Sequence, residues 1–173
     1  MYNDDPINLS LGQLLDSSAL VNCGDAQPMG GGAYFASEYW SRPFPKWLQN
    51  PDIGIHIKEF WVVLISAWLW GDSWRGQIVY VFCDNDAVVD TLDKQKPSDP
   101  KLQELLREYL YVVCTRGFTP KFRKIGTKEN HIADFISRRH DPEATKTFFS
   151  ENEHPPMTLV TVPDSMFILD SNW

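Results

Sequence analysis

The sequence has only three cysteines, Cys23, Cys83 and Cys114, and no CxxC pair. An odd set without that spacing argues against a disulfide framework and against a zinc site, and it favours a reducing compartment. Residues 1–10 have neither the basic start nor the apolar stretch of a secretory signal, and they do not resemble a transit peptide. We therefore expect an intracellular protein of the cytoplasm or nucleus.

Long hydrophobic runs and an excess of positive charge are also missing. The most apolar stretch, Phe60–Trp70, is interrupted by Ser66 and is shorter than the roughly 20 residues that cross a bilayer, so it predicts a buried helix and no membrane association. Sixteen basic residues against 23 acidic ones give a net charge of −7. This balance excludes a basic coat over the whole surface but leaves a local basic face open.

The chain is long and apolar enough for one domain with a substantial core. It has 173 residues, of which 43% are hydrophobic and 13% aromatic. Composition divides it into an N-terminal extension (1–17) with a short amphipathic piece, a domain (18–140), and an acidic C-terminal tail or linker (141–173) without a periodic helix.

Alternating elements within 18–140 predict an α/β domain. Pro28 and Gly30–Gly32 indicate a turn between the first two strands, and the continuous apolar run at 77–83 is typical of a central strand buried on both faces. Strands are predicted at 18–25, 33–40, 53–57, 77–83 and 118–125, and helices at 58–70, 85–92, 101–116 and 131–138.

Four acidic residues at element ends are the candidate functional residues: Asp25, Glu59, Asp84 and Asp134. Each has apolar neighbours, where a solvated charge is not expected. Carboxylates gathered in a semi-buried site repel one another and favour a cation, and oxygen ligands select Mg²⁺ or Mn²⁺. Two such ions can stabilise the attacking and leaving oxygens of a phosphodiester. Taken singly, each acid is also explained as a helix cap or a surface charge.

Four sequence stretches, in this order, carry a family resemblance: CGDAQPMGGGAYF, IHIKEFWVVL, YVFCDNDAVV and KIGTKENHIADFISR. Together they resemble the ribonuclease H domain of retrotransposon polyproteins, above all that of DIRS-like and gypsy-like elements. That domain typically ends in a stretch of the form HIPGKENVVADALSR. The residues KEN, AD and SR occur in both stretches at the same spacing, which makes this last stretch the most specific of the four. The resemblance covers residues 18–140.

The resemblance implies an RNase H-like fold, a five-stranded mixed β-sheet flanked by helices on both faces. It places Asp25, Glu59, Asp84 and Asp134 on the catalytic D-E-D-D set, which holds two Mg²⁺ (or Mn²⁺) ions. By the same resemblance, Asp25 and Asp134 hold the ion that activates water. Asp25, Glu59 and Asp84 hold the ion at the leaving 3′ oxygen. The implied activity is endonucleolytic cleavage of the RNA strand of an RNA–DNA hybrid, leaving 5′-phosphate and 3′-hydroxyl ends.

One position departs from the family pattern. A histidine that helps to release product often stands ten residues before the last aspartate, and here that position is Lys124. Lysine does not exchange protons near neutral pH unless its pKa is strongly lowered. The alternative function is therefore a catalytically impaired RNase H-like module that binds nucleic acid or connects domains. An integrase or transposase shares the fold but ends its acidic set in glutamate, which ranks it lower.

A basic stretch beside the last acid is the candidate nucleic-acid interface, because cations there fit the phosphates of a hybrid. A solvated edge strand protected by lysines explains the same pattern. The candidate nucleic-acid-binding residues are Arg116, Lys121, Arg123, Lys124, Lys128 and Asn130. By the same resemblance, a reverse-transcriptase polymerase domain of the same polyprotein is an expected partner.

Overall fold

A six-stranded mixed sheet lies at the centre of the computed structural model, which describes residues 10–15, 17–97 and 99–169. Its strand order is β5-β4-β1-β2-β3-β6. The strands are β1 Leu20–Ala26, β2 Gly30–Phe35, β3 Glu38–Pro43, β4 Ile78–Cys83, β5 Thr119–Lys124 and β6 Thr158–Leu159. The first three strands form an antiparallel meander, while β4 pairs in parallel with β1 and β5 in parallel with β4.

Helices cover both faces of this sheet. The α helices are α1 Leu11–Leu15, α2 Ile55–Trp70, α3 Asp86–Lys94, α4 Pro100–Arg116, α5 His131–Arg138 and α6 Pro142–Glu151, and a 3₁₀ helix spans Asp164–Phe167. Side chains of α2, α3 and α4 build the larger hydrophobic core on one face. Those of α1, α5 and α6 build a smaller core on the other face. Within the described residues, no helix combines the length and the apolar character needed to cross a membrane.

The sheet has six strands, so the expected number of five is wrong. The additional strand is β6, which pairs in parallel with the meander edge at Glu38↔Thr158 and Tyr39↔Leu159. It lies within 141–173, which was expected to form a tail or linker without a periodic helix. That expectation of no helix is also wrong for 142–151, where the Asp141 side chain caps α6 by accepting from the Glu143 and Ala144 amides. The buried Phe149 of α6 and the buried Phe167 attach this segment to the two cores.

The expected strand at 53–57 is wrong, because α2 begins at Ile55. Five alternating residues are too few to separate a strand from the first turn of a helix. Ile57 is 3% exposed within that turn, and the helix then continues with buried residues on every side. An apolar helix of this kind is stable only when it is enclosed, as α2 is between the sheet and α4.

The glycines at 30–32 lie inside β2 and do not form the expected turn. They allow helices to approach the sheet closely on both faces. A Cβ atom on Gly31 would stand 2.7 Å from Val62 of α2, and one on Gly32 would stand 3.0 Å from Ile136 of α5. The expected single strand over 33–40 is instead divided between β2 and β3 by a turn at Ala36, whose φ is 51°.

Candidate active site

Strand pairing brings two of the four acids to one edge of the sheet. Asp25 is the penultimate residue of β1, and Asp84 follows directly after β4. Because these neighbouring strands run in parallel, with Cys23 opposite Phe82, their carboxyl ends meet. Glu59 projects from the second turn of α2, and Asp134 lies in the first turn of α5. The two helical acids thus approach the same strand ends from opposite faces.

Asp25 is buried, with 2% of its surface exposed, and is held by two neutral donors. Its Oδ2 atom accepts a hydrogen bond of 2.8 Å from Ser137 Oγ and one of 2.9 Å from Gln27 Nε2. Neither Gln27 nor Ser137 was singled out in the sequence. The sequence does contain a signal for both residues. Gln27 lies two residues after Asp25, and residues two apart along a strand face the same side. Ser137 lies three residues after Asp134, and residues three apart on a helix also share a face.

Glu59 and Asp84 lie in an environment that opposes their ionisation. Burial raises the pKa of Glu59 well above its usual range, and the charges of Asp25 and Asp84 raise it further. The pKa of Asp84 is also raised, first by burial and then by Asp25, with a smaller contribution from Asp134. Lys124 acts in the opposite direction on Asp84. The charge of Asp25 thus acts on both Glu59 and Asp84, and that of Asp134 acts on Asp84, so the four carboxylates lie in one electrostatic cluster.

Asp134 is half-buried and is paired with a cation. Arg138 Nε lies 3.1 Å from each of its two carboxylate oxygens. Gln27 Nε2 lies 3.4 Å from Asp134 Oδ1, so this amide joins Asp134 to Asp25. Asp134 and Arg138 are four residues apart on α5, so this ion pair joins two successive turns of the same helix.

The donor set of the cluster fits a hard divalent cation. Ligand atoms of Glu59, Cys83 and Asp84 lie within 4.8 Å of one another. Burial raises the pKa of the Cys83 thiol well above its usual range, so the ligands that this site offers a hard cation are carboxylate oxygens rather than a thiolate. Burial first, and then the neighbouring carboxylates, disfavour the charged forms of Glu59 and Asp84, and a bound cation would favour those charged forms.

Three of the candidate nucleic-acid-binding residues lie at or just beyond the end of β5, and one of them, Lys124, acts on the carboxylates. Lys124 Nζ contacts Asp86 Oδ1 at 2.8 Å, two residues from Asp84. The guanidinium of Arg123 lies over the ring of Tyr80, 5.8 Å from its centroid. Lys128 is exposed in the loop that follows. Lys121 is exposed further back on the same strand.

Two members of that set are placed where they do not fit the expected role. Arg116 lies at the opposite end of the sheet, where β5 begins, and its Nη1 pairs with Asp72 Oδ2 at 2.5 Å. Asn130 is 1% exposed, and its Nδ2 donates to the Gly24 carbonyl at 3.1 Å. A side chain that is enclosed in this way supports the backbone beside Asp25 and is not available to a nucleic acid.

Comparison with known proteins gives matches among solved structures alone, since no family model and no curated protein matches this chain. RNase H1 from the halophilic archaeon Halobacterium salinarum superposes with a TM-score of 0.53 at 11% identity, covering 69% of this chain and 94% of that one. The chain has an RNase H-like fold.

Two further solved structures match with smaller TM-scores. The N-terminal RNase H domain of a Mycobacterium tuberculosis protein gives 0.49 at 13% identity, covering 68% of this chain and 95% of that one. An RNase H1 isolated from compost by metagenomics gives 0.47 at 15% identity, covering 77% and 99%.

Proposed function

We propose that this protein is a metal-dependent ribonuclease H that hydrolyses the RNA strand of RNA–DNA hybrids. The observation that carries the proposal is the convergence of Asp25, Glu59, Asp84 and Asp134 in one electrostatic cluster at the strand ends of an RNase H-like fold. The motif resemblance supports the same proposal, and it rests on the sequence alone and not on the structure.

The proposed roles follow from where each carboxylate lies. Asp25, Glu59 and Asp84 would hold one divalent ion, and Asp25 with Asp134 would hold a second. When bound, Mg²⁺ or Mn²⁺ ions supply an activated water and stabilise the leaving 3′ oxygen. Ser137 and Gln27 orient the shared Asp25 carboxylate by donating to its Oδ2 atom. Arg138 would hold the Asp134 carboxylate in place, since its Nε lies 3.1 Å from both carboxylate oxygens.

A labelled RNA–DNA hybrid incubated with the protein, with and without Mg²⁺, tests this function. We expect hydrolysis that requires the metal and that Asp84→Asn abolishes. The matched control is Asp90→Asn, which removes the same charge from an exposed position on α3 and should leave cleavage unchanged. Absence of cleavage in both Mg²⁺ and Mn²⁺ would contradict the enzymatic proposal.

Lys124 supports a second candidate function, a catalytically impaired module that binds or connects nucleic acids. Its ammonium group is held by Asp86 beside the carboxylates, where the family pattern often has a proton-exchanging histidine. Hybrid binding without metal-dependent cleavage would favour this alternative.

A retroelement origin is part of the same proposal, and it is supported by the KENHIADFISR stretch. By that resemblance, the chain is a part or a remnant of a reverse transcriptase, and a polymerase domain of the same polyprotein would be its partner. Co-purification of the longer polyprotein product with hybrid-cleaving activity would test this origin.

A further inference from the structure

One side-chain amide, that of Gln27, joins the two carboxylates that are proposed to share the second ion. Its Nε2 atom lies 2.9 Å from Asp25 Oδ2 and, in a longer contact, 3.4 Å from Asp134 Oδ1. The backbone beneath the side chain is held by a hydrogen bond of 2.8 Å from the Gln27 amide to the Gly30 carbonyl. Within the described part of the chain, no other residue bonds to both carboxylates.

The two aspartates determine which way this amide is turned. The oxygens of an ionised carboxylate only accept hydrogen bonds, so the group that Gln27 presents to them is its NH₂ and not its carbonyl oxygen Oε1. The NH₂ group has two hydrogens, which is one for each aspartate. A neutral donor is therefore directed at the same two carboxylates that we assign to the second ion.

The oxygens in this contact already have their full complement of donors. A carboxylate oxygen has two lone pairs, and those of Asp25 Oδ2 are used by Gln27 and by Ser137 Oγ at 2.8 Å. Asp134 Oδ1 is approached by Gln27 and by Nε and Nη2 of Arg138, both at 3.1 Å. A cation shared by the two aspartates through these oxygens must displace a donor, and Gln27 is the donor that they have in common.

The ion proposed for Asp25, Glu59 and Asp84 does not meet this obstacle. Among the residues that the structure describes, no hydrogen bond joins Gln27 to Glu59 or to Asp84. Glu59 approaches from α2 on one face of the sheet, whereas Asp134 belongs to α5 on the other. The contacts of Gln27 thus oppose one of the two proposed ions and leave the other unhindered.

A groove of about 560 Å³ beside Gln27 gives its side chain a second position. Pro28, Met29 and Arg138 are among the residues that line this groove together with Gln27. Gln27 is half-buried, while Pro28 and Met29 are exposed. The amide can therefore rotate away from the carboxylates about its side-chain bonds, and the backbone of β1 need not move.

We propose that Gln27 is a positioning residue that competes with the second ion. Its amide joins Asp25 to Asp134 in the metal-free chain, and the ion shared by these aspartates binds only when the amide has turned into the groove. The bond that orients Asp25 for the first ion is thus the bond that opposes the second, and the two ions bind with unequal affinity. The inference rests on the proposed function, whose metal site it describes.

Counting bound Mn²⁺ ions tests the competition without any cleavage. The electron paramagnetic resonance signal of free Mn²⁺ gives the number of bound ions, and titration calorimetry gives their Kd values. For the unaltered chain we expect one tightly and one weakly bound ion. Gln27→Met retains the length of the side chain and removes the donor. It should tighten the weak ion roughly tenfold, the effect of one hydrogen bond to a charged group, and leave the tight ion unchanged.

Gln49→Met is the matched control, because Gln49 lines the same groove but donates to the Phe44 carbonyl and not to a carboxylate. It should change neither Kd. In an Asp134→Asn chain, Gln27→Met should have no effect on Mn²⁺ binding, since the shared site is lost. A merely structural role of Gln27 predicts the opposite sign, because loss of its bonds would loosen the two aspartates and weaken ion binding.

A measurement on the unaltered chain does not depend on the folding of a variant. In ¹⁵N NMR spectra recorded during a Mg²⁺ titration, the side-chain NH₂ signals of Gln27 should shift mainly over the second binding step. Signals that stay in place up to saturation overturn the inference. A single bound ion in both the unaltered and the Gln27→Met chain overturns it as well. Unchanged or weaker binding of the second ion to folded Gln27→Met does the same, and weaker binding would indicate that Oε1 serves as a ligand.

The cleavage assay separates the two levels of the proposal. If the unaltered protein cleaves hybrid with Mg²⁺ and Gln27→Met does not tighten the second ion, only the role of Gln27 is wrong. If neither Mg²⁺ nor Mn²⁺ binds to the unaltered chain, the metal-dependent function and the inference are both wrong.

Discussion

The two faces of the sheet are held together in different ways. The face under α2 and α4 is an aromatic core in which Phe60, Trp61 and Trp74 are fully enclosed. The face under α5 has a smaller apolar cluster and is joined to the sheet by polar bonds. Asn130 donates to the Gly24 carbonyl there, and Ser137 donates to Asp25. Close packing fixes the first face, whereas directional hydrogen bonds align the second.

This difference divides the candidate site between a rigid support and an adjustable one. Glu59 and Asp84 are attached to the α2 helix and to the central strand β4, which the large core encloses. Asp134 belongs to the α5 side, as does Ser137, which donates to Asp25. We infer that changes on the first face act on stability, while changes on the second act on the position of the site.

The largest effect is expected from removal of residues 141–173. A chain ending at residue 140 loses Phe149 from the small core and Phe167 from the large one. Burial of two such side chains contributes about 3–6 kcal/mol, a large part of a typical stability of about 5–15 kcal/mol. We expect loss of a cooperative thermal transition by circular dichroism, whereas a control ending at residue 169 should melt normally. Cooperative melting of the shorter chain would place the end of the domain at residue 140.

A matched pair of core substitutions compares the two faces directly. Phe60→Ala on α2 should cost about 3–5 kcal/mol, and Ile136→Ala on α5 about 2–5 kcal/mol, because both side chains are fully buried. Denaturant titration gives the two free energies of unfolding. At a temperature where both variants are folded, we expect Phe60→Ala to cleave hybrid nearly as the unaltered protein does. Ile136→Ala should cleave more slowly, since it precedes Ser137. Equal cleavage rates would contradict the division between the faces.

The sequence predicted the rigid face more completely than the other. Apolar runs identified α2 and β4, and acids with apolar neighbours at element ends were the signal for the candidate cluster, whose role as a metal site stays a prediction. The small face could not be inferred in this way. Gly31 and Gly32 have the composition of a turn, yet their role is close approach to helices, which depends on tertiary packing. The bonds of Gln27 and His140 likewise join residues that are distant in sequence.

The charge within the cluster makes stability depend on pH and metal. Because the pKa of Glu59 is raised, the folded chain keeps its proton at pH values where the unfolded chain has lost it. Without metal, stability should therefore fall as pH rises above the ordinary range for glutamate. We expect Glu59→Gln to raise the melting temperature by several degrees at neutral pH and to flatten this dependence, unlike Glu151→Gln at an exposed position.

Mg²⁺ should have the same stabilising effect on the unaltered chain by binding the folded state. At a hundredfold excess over Kd the gain is about 2.7 kcal/mol, and Glu59→Gln should reduce it. Calorimetric melting with and without the metal measures both effects. An equal Mg²⁺ shift in the two chains would show that the metal binds outside the cluster.

The smallest effect is expected at Lys124, whose side chain lies at the border between the rigid strands and the loop before α5. Its positive charge opposes the rise in the pKa of Asp84, and its ammonium group contacts Asp86. A lysine in this position can hold an anion but does not exchange protons near neutral pH. We expect slow multiple-turnover cleavage after a faster first turnover, because product is retained. Lys124→His should raise steady-state turnover a few-fold and leave the single-turnover rate nearly unchanged in rapid-quench measurements. If the substitution slows both phases alike, Lys124 acts by binding the hybrid, and its position next to Asp84 serves affinity rather than product release.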